Sequence, residues 1–208
     1  MSQPQYPTVV VFSQYHAATY AQFSHQRYEE GDTVELTSLI DNTIKYQTTV
    51  VGKNSLFDVI IFKSDTSFIY WPPMHSSMYI GMEYYQLYIG TGNRPAWKIG
   101  RVQGRKGVLN VGNSHLENGD SGSLILDQNG NLLGMALSLP IRGNNTDHSS
   151  NIRIIGVEPM LVIGKIYGDN DYTNGYRYSN DDDTIEVAEY SECECQRKKV
   201  YELYFFRN

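Results

Sequence analysis

The segment Gly119-Asp120-Ser121-Gly122 contains the side chain of this sequence best suited to nucleophilic chemistry, the hydroxyl of Ser121. A serine hydroxyl is a weak nucleophile at neutral pH unless a base removes its proton, and the base works best when a third group fixes its orientation. The developing oxyanion is best held by backbone N–H groups, which a turn rich in glycine can aim at one point. The segment therefore predicts acyl transfer, with the Gly119 and Ser121 amides as oxyanion donors, provided that the chain supplies a histidine and a carboxylate. The alternative is an ordinary turn serine.

The elements that would position these residues are β-strands. Short runs rich in Val, Ile, Tyr and Thr alternate with Gly, Asn, Asp and Ser, a pattern typical of strands and turns. Before the break at "WPPMHSS" we predict strands at 8–12, 33–40, 44–52 and 56–63, and after it at 78–90, 96–104, 107–112, 123–127, 132–139 and 152–159. Asn129-Gly130 predicts a tight hairpin turn directly after the strand that follows Ser121. Strands of this length and spacing indicate a barrel or a sandwich.

The composition changes after about Tyr167. Residues 168–208 begin with a polar, acidic stretch that includes Asp181 to Asp183, and we predict that they form an acidic linker and a C-terminal tail. Apolar residues return in "VYELYFF" at the end of the tail. The pattern there is compatible with a hairpin around "QRKK" or with a short helix.

Composition and charge exclude several classes of function. The net charge of −6, from 17 basic and 23 acidic side chains, argues against a nucleic-acid-binding surface. The two cysteines, Cys193 and Cys195, are too few for a disulfide framework of the secreted kind or for a metal site of their own. No signal peptide and no apolar run of about 18 residues is visible. We therefore expect a cytoplasmic protein that needs no metal or cofactor and binds neither nucleic acid nor a membrane.

Three segments together resemble the chymotrypsin-like (trypsin-like) serine proteases. "GDSGSLIL…NGNLLGMALS" is similar to the nucleophile region of that family, and "FDVIIFK" to the segment in which an Asp precedes an apolar strand. "TVVVFSQYHAATY" resembles the strand and turn that carry the base, most closely in the compact, disulfide-free HtrA-type branch. The order His, Asp, Ser is that of the family. The resemblance covers about residues 8 to 165 and implies an all-β fold of two antiparallel barrels, at about 8–70 and 76–165, in a domain spanning 1–167.

The resemblance implies a role for each matching residue. His16 would act as general base, Asp58 would orient it, and Ser121 would attack the peptide carbonyl. The amides of Gly119 and Ser121 would form the oxyanion hole. His25 is the alternative base. It lies nearer to Asp58 along the chain, but in a polar stretch, whereas His16 directly follows an apolar strand.

Two further residues match substrate-binding positions of the family. Ser138 falls in the strand along which an extended peptide would pair. His115 falls at the floor of the primary specificity pocket, where it would accept an acidic or polar substrate side chain better than a basic one.

The sequence departs from the family at its beginning. Only some 15 residues precede His16, so the first barrel is predicted to lack one or two strands unless another segment, such as the "VYELYFF" tail, supplies them. The predicted function is a serine endopeptidase acting through a Ser121 acyl-enzyme on peptide or protein substrates. The alternatives are a catalytically inactive relative that binds extended peptides, and an unrelated β-sandwich interaction domain.

Overall fold

The computed structural model describes residues 8–39, 41–69, 74–90, 94–115, 120–137, 151–164 and 203–206. Within these ranges the strands close into two antiparallel barrels of six strands each. This confirms the predicted all-β fold of two barrels. No helix in the described ranges is both long and apolar enough to cross a membrane.

The first barrel is built largely from runs of β-branched residues, which suit a pleated, buried surface. In chain order its strands are β1 (Thr8–Val11), β2 (His16–Thr19), β3 (Thr33–Ser38), β4 (Lys45–Asn54), β5 (Val59–Ser64) and, from the end of the chain, β12 (Leu203–Phe206). A short 3₁₀ helix, Phe23–Arg27, follows β2. Sequence patterning predicted four of these strands but missed β2, which was interpreted as a base-bearing turn.

The second barrel follows the predicted strand order closely. Its strands are β6 (Glu83–Gly90), β7 (Arg94–Lys106), β8 (Leu109–Gly112), β9 (Leu124–Leu126), β10 (Leu132–Leu137) and β11 (Ile152–Gly156), after which helix α1 (Val157–Ile163) begins. The predicted turn between β9 and β10 is present. Gly130 has φ 75°, and its N–H donates to the Asp127 carbonyl oxygen over 3.0 Å. This turn sets the β9–β10 hairpin directly behind the Ser121 segment.

The prediction that the first barrel lacks a strand requires a correction. β12 pairs with β1 on one side, with Thr8 opposite Phe205, and with β3 on the other, with Ser38 opposite Tyr204. Unpaired edges of β1 and β3 would leave rows of backbone N–H and C=O groups without partners. β12 supplies the hydrogen-bond partners for both edges. Part of the predicted tail therefore belongs to the first barrel. The described residues of the tail form a strand, and the "QRKK" segment lies outside them.

The strands that face both barrels are buried on both sides. In β10, Leu133 and Ala136 belong to the core inside the second barrel, whereas Leu132, Met135 and Leu137 pack in the core between the barrels. A strand with two buried faces appears in sequence as a continuous apolar run instead of an alternating pattern. The loops at the edge of this inter-barrel core hold the candidate site.

His75 connects the two barrels through its backbone and its ring. Its Nε2 donates to the carbonyl oxygen of Phe12 over 2.7 Å, and its backbone forms a parallel bridge with Leu132 of β10. Burial lowers the pKa of His75 to about 4. The folded protein therefore holds this imidazole in its neutral form at neutral and mildly acidic pH.

We expect His75 to make the folded protein less stable as the pH falls from about 6.5 to about 4. In this window the unfolded chain binds a proton at His75 and the folded chain does not, so the free energy of unfolding decreases with falling pH, by at most about 3 kcal/mol. The measurement is the urea midpoint of the wild type and of His75→Gln between pH 4 and 7. Glutamine keeps a donor for Phe12 but does not titrate, so the difference between the two profiles isolates His75. Parallel profiles would contradict the prediction.

Candidate functional site

The Ser121 turn lies at the junction of the two barrels, directly before β9. The hydroxyl of Thr8, in β1, donates to the Ser121 carbonyl oxygen over 3.0 Å. Gly122 has φ 83°, and a Cβ atom at this position would lie 2.5 Å from the Thr8 carbonyl oxygen. Glycine is therefore required here for conformation and for space. The turn is held against the first barrel, and Ser121 is largely buried there.

Asp58 lies at the start of β5 with its carboxylate turned toward the end of β2. It has φ 58°, the only left-handed non-glycine residue among those described, and such a conformation costs about 1 kcal/mol or more. Oδ1 accepts the Ala21 N–H over 3.0 Å, and Oδ2 accepts the Gln22 side-chain N–H over 2.5 Å. Burial raises the pKa of Asp58 to about 6. A strained, buried carboxyl group held by two donors is characteristic of a functional position.

Hydrogen bonds connect the Ser121 turn to the segment that holds Asp58. Thr8, which binds the Ser121 carbonyl oxygen, accepts the Thr19 hydroxyl at its own carbonyl oxygen over 2.7 Å. Thr19 ends β2, and the chain continues directly to Ala21 and Gln22, the two donors to Asp58. The structure therefore brings the predicted Ser121 and Asp58 to the same edge of the inter-barrel junction.

His16 lies at the opposite end of β2. In the β2–β5 ladder His16 is opposite Lys63 and Thr19 is opposite Ile60, so Asp58 falls level with Ala21. Five residues of extended chain separate His16 from Ala21, about 16 Å at about 3.3 Å per residue. His16 Nδ1 instead lies 3.0 Å from the hydroxyl of Ser13, in the β1–β2 hairpin. The pairing of His16 with Asp58 implied by the resemblance does not fit this register, because Asp58 faces the residues that follow β2 and not the turn that precedes it.

His25 lies in the 3₁₀ helix, three residues beyond Gln22. Its Nδ1 is 2.8 Å from the carbonyl oxygen of Tyr20, and its ring packs at 4.5 Å from the Tyr20 ring. His25 is 1% exposed, and burial lowers its pKa. Within the described chain, the side chain that binds the Asp58 carboxylate is Gln22. Neither candidate histidine occupies that position.

Gln22 is the residue that sequence reasoning missed. It follows β2 by three residues and lies at the start of the 3₁₀ helix, where its Nε2 points to Asp58 and its Oε1 is buried without a hydrogen-bond partner. A carboxamide has the shape and the donor of an imidazole but no basic nitrogen. A signal was present in "HAATYAQ", since an apolar strand read as 16–19 places Gln22, not His16, in the following turn.

Lys98 of β7 is a second residue that the sequence analysis did not single out. Its ammonium lies 3.0 and 2.9 Å from the two carboxylate oxygens of Asp120, 3.0 Å from the His115 carbonyl oxygen and 4.2 Å from the centre of the Tyr88 ring. Asp120 is fully buried and directly precedes Ser121. The His115 side chain is exposed. Lys98 therefore neutralises the acidic side chain next to the candidate nucleophile.

A buried polar network supports the same turn from inside the second barrel. The Ser123 hydroxyl donates to the Asp120 carbonyl oxygen and accepts the Gln86 side-chain N–H over 3.1 Å. Gln86 in turn accepts the Ser114 hydroxyl over 2.8 Å, and Tyr84 donates its hydroxyl to Ser114 over 2.8 Å. Buried polar groups stabilise a unique arrangement only when each finds a partner. This network fixes the residues on both sides of Ser121.

The other predicted site residues are placed as follows. Gly119 and Ser138 lie outside the described residues. His115 is described, and its backbone carbonyl is tied to Lys98. The structure thus brings Ser121, Asp58 and the His115 backbone into connected positions, and it separates His16 from them.

Solved structures share this fold. The chain aligns with the MamO protease domain from Magnetospirillum magneticum in its apo form, with a TM-score of 0.57 over 78% of this chain and 90% of that one, at 12% identity. The chain has the chymotrypsin-like fold. A second structure of this fold, Rv3671c from M. tuberculosis as an inactive Ser343Ala mutant, aligns with a TM-score of 0.53 over 77% of this chain and 82% of that one, at 16% identity. No protein-family model and no curated protein matches the sequence.

Because this chain is only 12% and 16% identical to the two solved structures, the similarity to them shows the chymotrypsin-like fold alone. The two structures are a protease domain and an inactive mutant, so the comparison supports a protease-like architecture and leaves the chemistry to the site itself.

Proposed function

We propose that this chymotrypsin-fold domain binds extended peptide segments at the junction of its barrels without hydrolysing them. The observation that carries the proposal is the hydrogen bond from the Gln22 side chain to Asp58, 2.5 Å long, in the place where a triad needs its base. This is the inactive, peptide-binding alternative that the sequence left open.

The absence of a base at Asp58 is what argues against hydrolysis. A carboxamide cannot take the proton of a serine hydroxyl, and a positioned general base contributes about 10²–10⁴ in rate. The orienting carboxylate is present, but it orients an amide. Without an activated Ser121, an acyl-enzyme does not form at a useful rate.

The same amide supports the binding of a peptide backbone. Gln22 is 9% exposed, and its Oε1 is buried without a hydrogen-bond partner among the described residues. An unsatisfied buried acceptor costs about 1–3 kcal/mol, and a peptide N–H that reaches this oxygen after a local movement of the Gln22 side chain gains at most that amount. A peptide group carries both an N–H for Gln22 and a carbonyl for the amides of the serine turn. Pairing of an extended peptide with the barrel is the binding mode that this chemistry favours.

A serine endopeptidase is the second candidate, and a specific observation favours it. Asp120 is held by Lys98 at 2.9 Å, and Ser121 stands in the sequence Gly-Asp-Ser-Gly. The Ser121 segment and the Lys98–Asp120 ion pair beside it suit catalysis as well as binding. The endopeptidase would need His25, after a local rearrangement, or His16, after a larger one, to reach Ser121.

Labelling by a fluorophosphonate probe separates the two functions. We expect no labelling of the folded wild type above that of Ser121→Ala, because the side chain that binds Asp58 is a carboxamide and not an imidazole. Wild-type labelling that is lost in Ser121→Ala and in either His16→Ala or His25→Ala would establish the protease and name its base.

Binding is measured in parallel with an immobilised library of extended peptides. We expect the wild type to select a subset of sequences and Gln22→Leu, which has no acceptor oxygen, to bind them more weakly. A folded wild type that neither labels nor binds any peptide would overturn the proposal.

A further inference from the structure

The Lys98 ammonium binds two residues that lie close to Ser121 in the chain. Its ammonium has three N–H donors, and three acceptors lie within 3.0 Å of it, both oxygens of Asp120 and the carbonyl of His115. The Lys98 side chain is 13% exposed and that of Asp120 is 0% exposed. This geometry leaves the ammonium no donor for a ligand, so the role of Lys98 is exerted through the residues that it holds.

The two residues that Lys98 binds lie at the two ends of the segment 115–120, which leads into Ser121. His115 and Asp120 are five residues apart in the chain, and one cation binds both. Asp120 is further fixed through its carbonyl oxygen, which accepts the Ser123 hydroxyl. With Asp120 held at its carboxylate and its carbonyl, the peptide group that joins Asp120 to Ser121 has a set orientation. That peptide group carries the Ser121 N–H.

We propose that Lys98 is the positioning residue of the serine turn: a cation built into β7 keeps the Ser121 N–H directed at the carbonyl of a bound peptide. The function of this positioning rests on the peptide binding proposed above. The cation that holds the turn is a side chain of β7, so the folded second barrel itself supplies it.

The ring of Tyr88 is a further contact that holds the Lys98 ammonium. Lys98 is level with Gln86 in the β6–β7 ladder, and its ammonium lies over the face of Tyr88 in the neighbouring strand. An ammonium over a ring face is held by the negative charge of the π-system. The Tyr88 ring and the Asp120 carboxylate together fix the ammonium in one place.

The test compares the wild type with Lys98→Arg and with the double variant Lys98→Met/Asp120→Asn. The double variant removes both charges, so no unpaired carboxylate is buried and the fold is retained. We expect its affinity for a library-selected peptide to fall by about tenfold or more, and Lys98→Arg to bind within about threefold of the wild type. Lys53→Met, which removes a cation paired with an exposed Glu29, is the matched control and should bind like the wild type.

A second readout needs no peptide. In ¹⁵N–¹H spectra we expect the Ser121 and Gly122 amide resonances to shift or broaden in the double variant and to stay at their wild-type positions in Lys98→Arg and Lys53→Met. A folded double variant with wild-type resonances at these two amides and wild-type affinity would overturn the positioning role. If the wild type binds no peptide, the proposed function fails. The amide resonances still decide whether Lys98 positions the turn.

Discussion

Gln22→His is expected to convert the serine turn into one that reacts with a fluorophosphonate probe. An imidazole at this position can donate from one ring nitrogen to Asp58 Oδ2, as Gln22 Nε2 does now over 2.5 Å, and leave its other nitrogen basic. The strained, buried carboxyl group that a triad requires is already in place, with the Ala21 N–H on its other oxygen. Since a positioned base contributes about 10²–10⁴ in rate, we expect labelling of Ser121 to increase by about 10²-fold or more over the wild type.

The increase in labelling should require both Ser121 and Asp58. In the Gln22→His background, Ser121→Ala should abolish labelling and Asp58→Asn should reduce it strongly, whereas His25→Ala should leave it in place. Gln26→His, which puts an imidazole on an exposed residue of the same 3₁₀ helix, is the matched control and should give no gain. A folded Gln22→His variant that labels no faster than the wild type would show that Gln22 does not occupy the position of the base.

Lys98→Met is expected to cause the largest loss of stability of the single substitutions considered. Asp120 is 0% exposed, and the substitution leaves its carboxylate buried without its cation. Removing one partner of a buried ion pair costs about 3–5 kcal/mol, because the remaining charge has lost its compensation. The measurement is the free energy of unfolding from urea or thermal denaturation at pH 7.

The double variant shows whether the loss comes from the uncompensated charge. Lys98→Met/Asp120→Asn should recover most of the stability, since replacing both charges of a buried pair is often close to neutral. Lys53→Met should change stability by about 1 kcal/mol or less, because Glu29 is 72% exposed and surface ion pairs contribute little. A loss in Lys98→Met no larger than that of Lys53→Met would contradict the prediction.

The strands and the serine turn could be predicted from the sequence because their causes are local. Runs of Val and Ile such as "TVVV" favour extended backbone wherever they occur, and Asn129-Gly130 favours a tight turn. Gly122 follows the same logic, since its positive φ is a property of the turn itself. The family resemblance added the order of the barrels, and the two-barrel fold agrees with it.

The partners across the site could not be predicted in this way. Whether His16 or Gln22 meets Asp58 depends on the register of β2 against β5, and the six-residue step from His16 to Gln22 is invisible in composition or spacing. An apolar strand followed by a histidine pointed to His16. That histidine in fact begins a second strand, β2, so the turn that faces Asp58 comes later in the chain.

The sequence by itself determined which segments are strands, where the serine turn lies and that Asp58 precedes an apolar strand. Only the tertiary structure decided that β12 closes the first barrel, that Lys98 is the counter-charge of Asp120 and that Gln22 is the side chain that binds Asp58. The physical reason is the range of the interactions. Backbone preference acts within a few residues, whereas strand closure and the pairing of buried charges depend on which distant segments the barrels bring into contact.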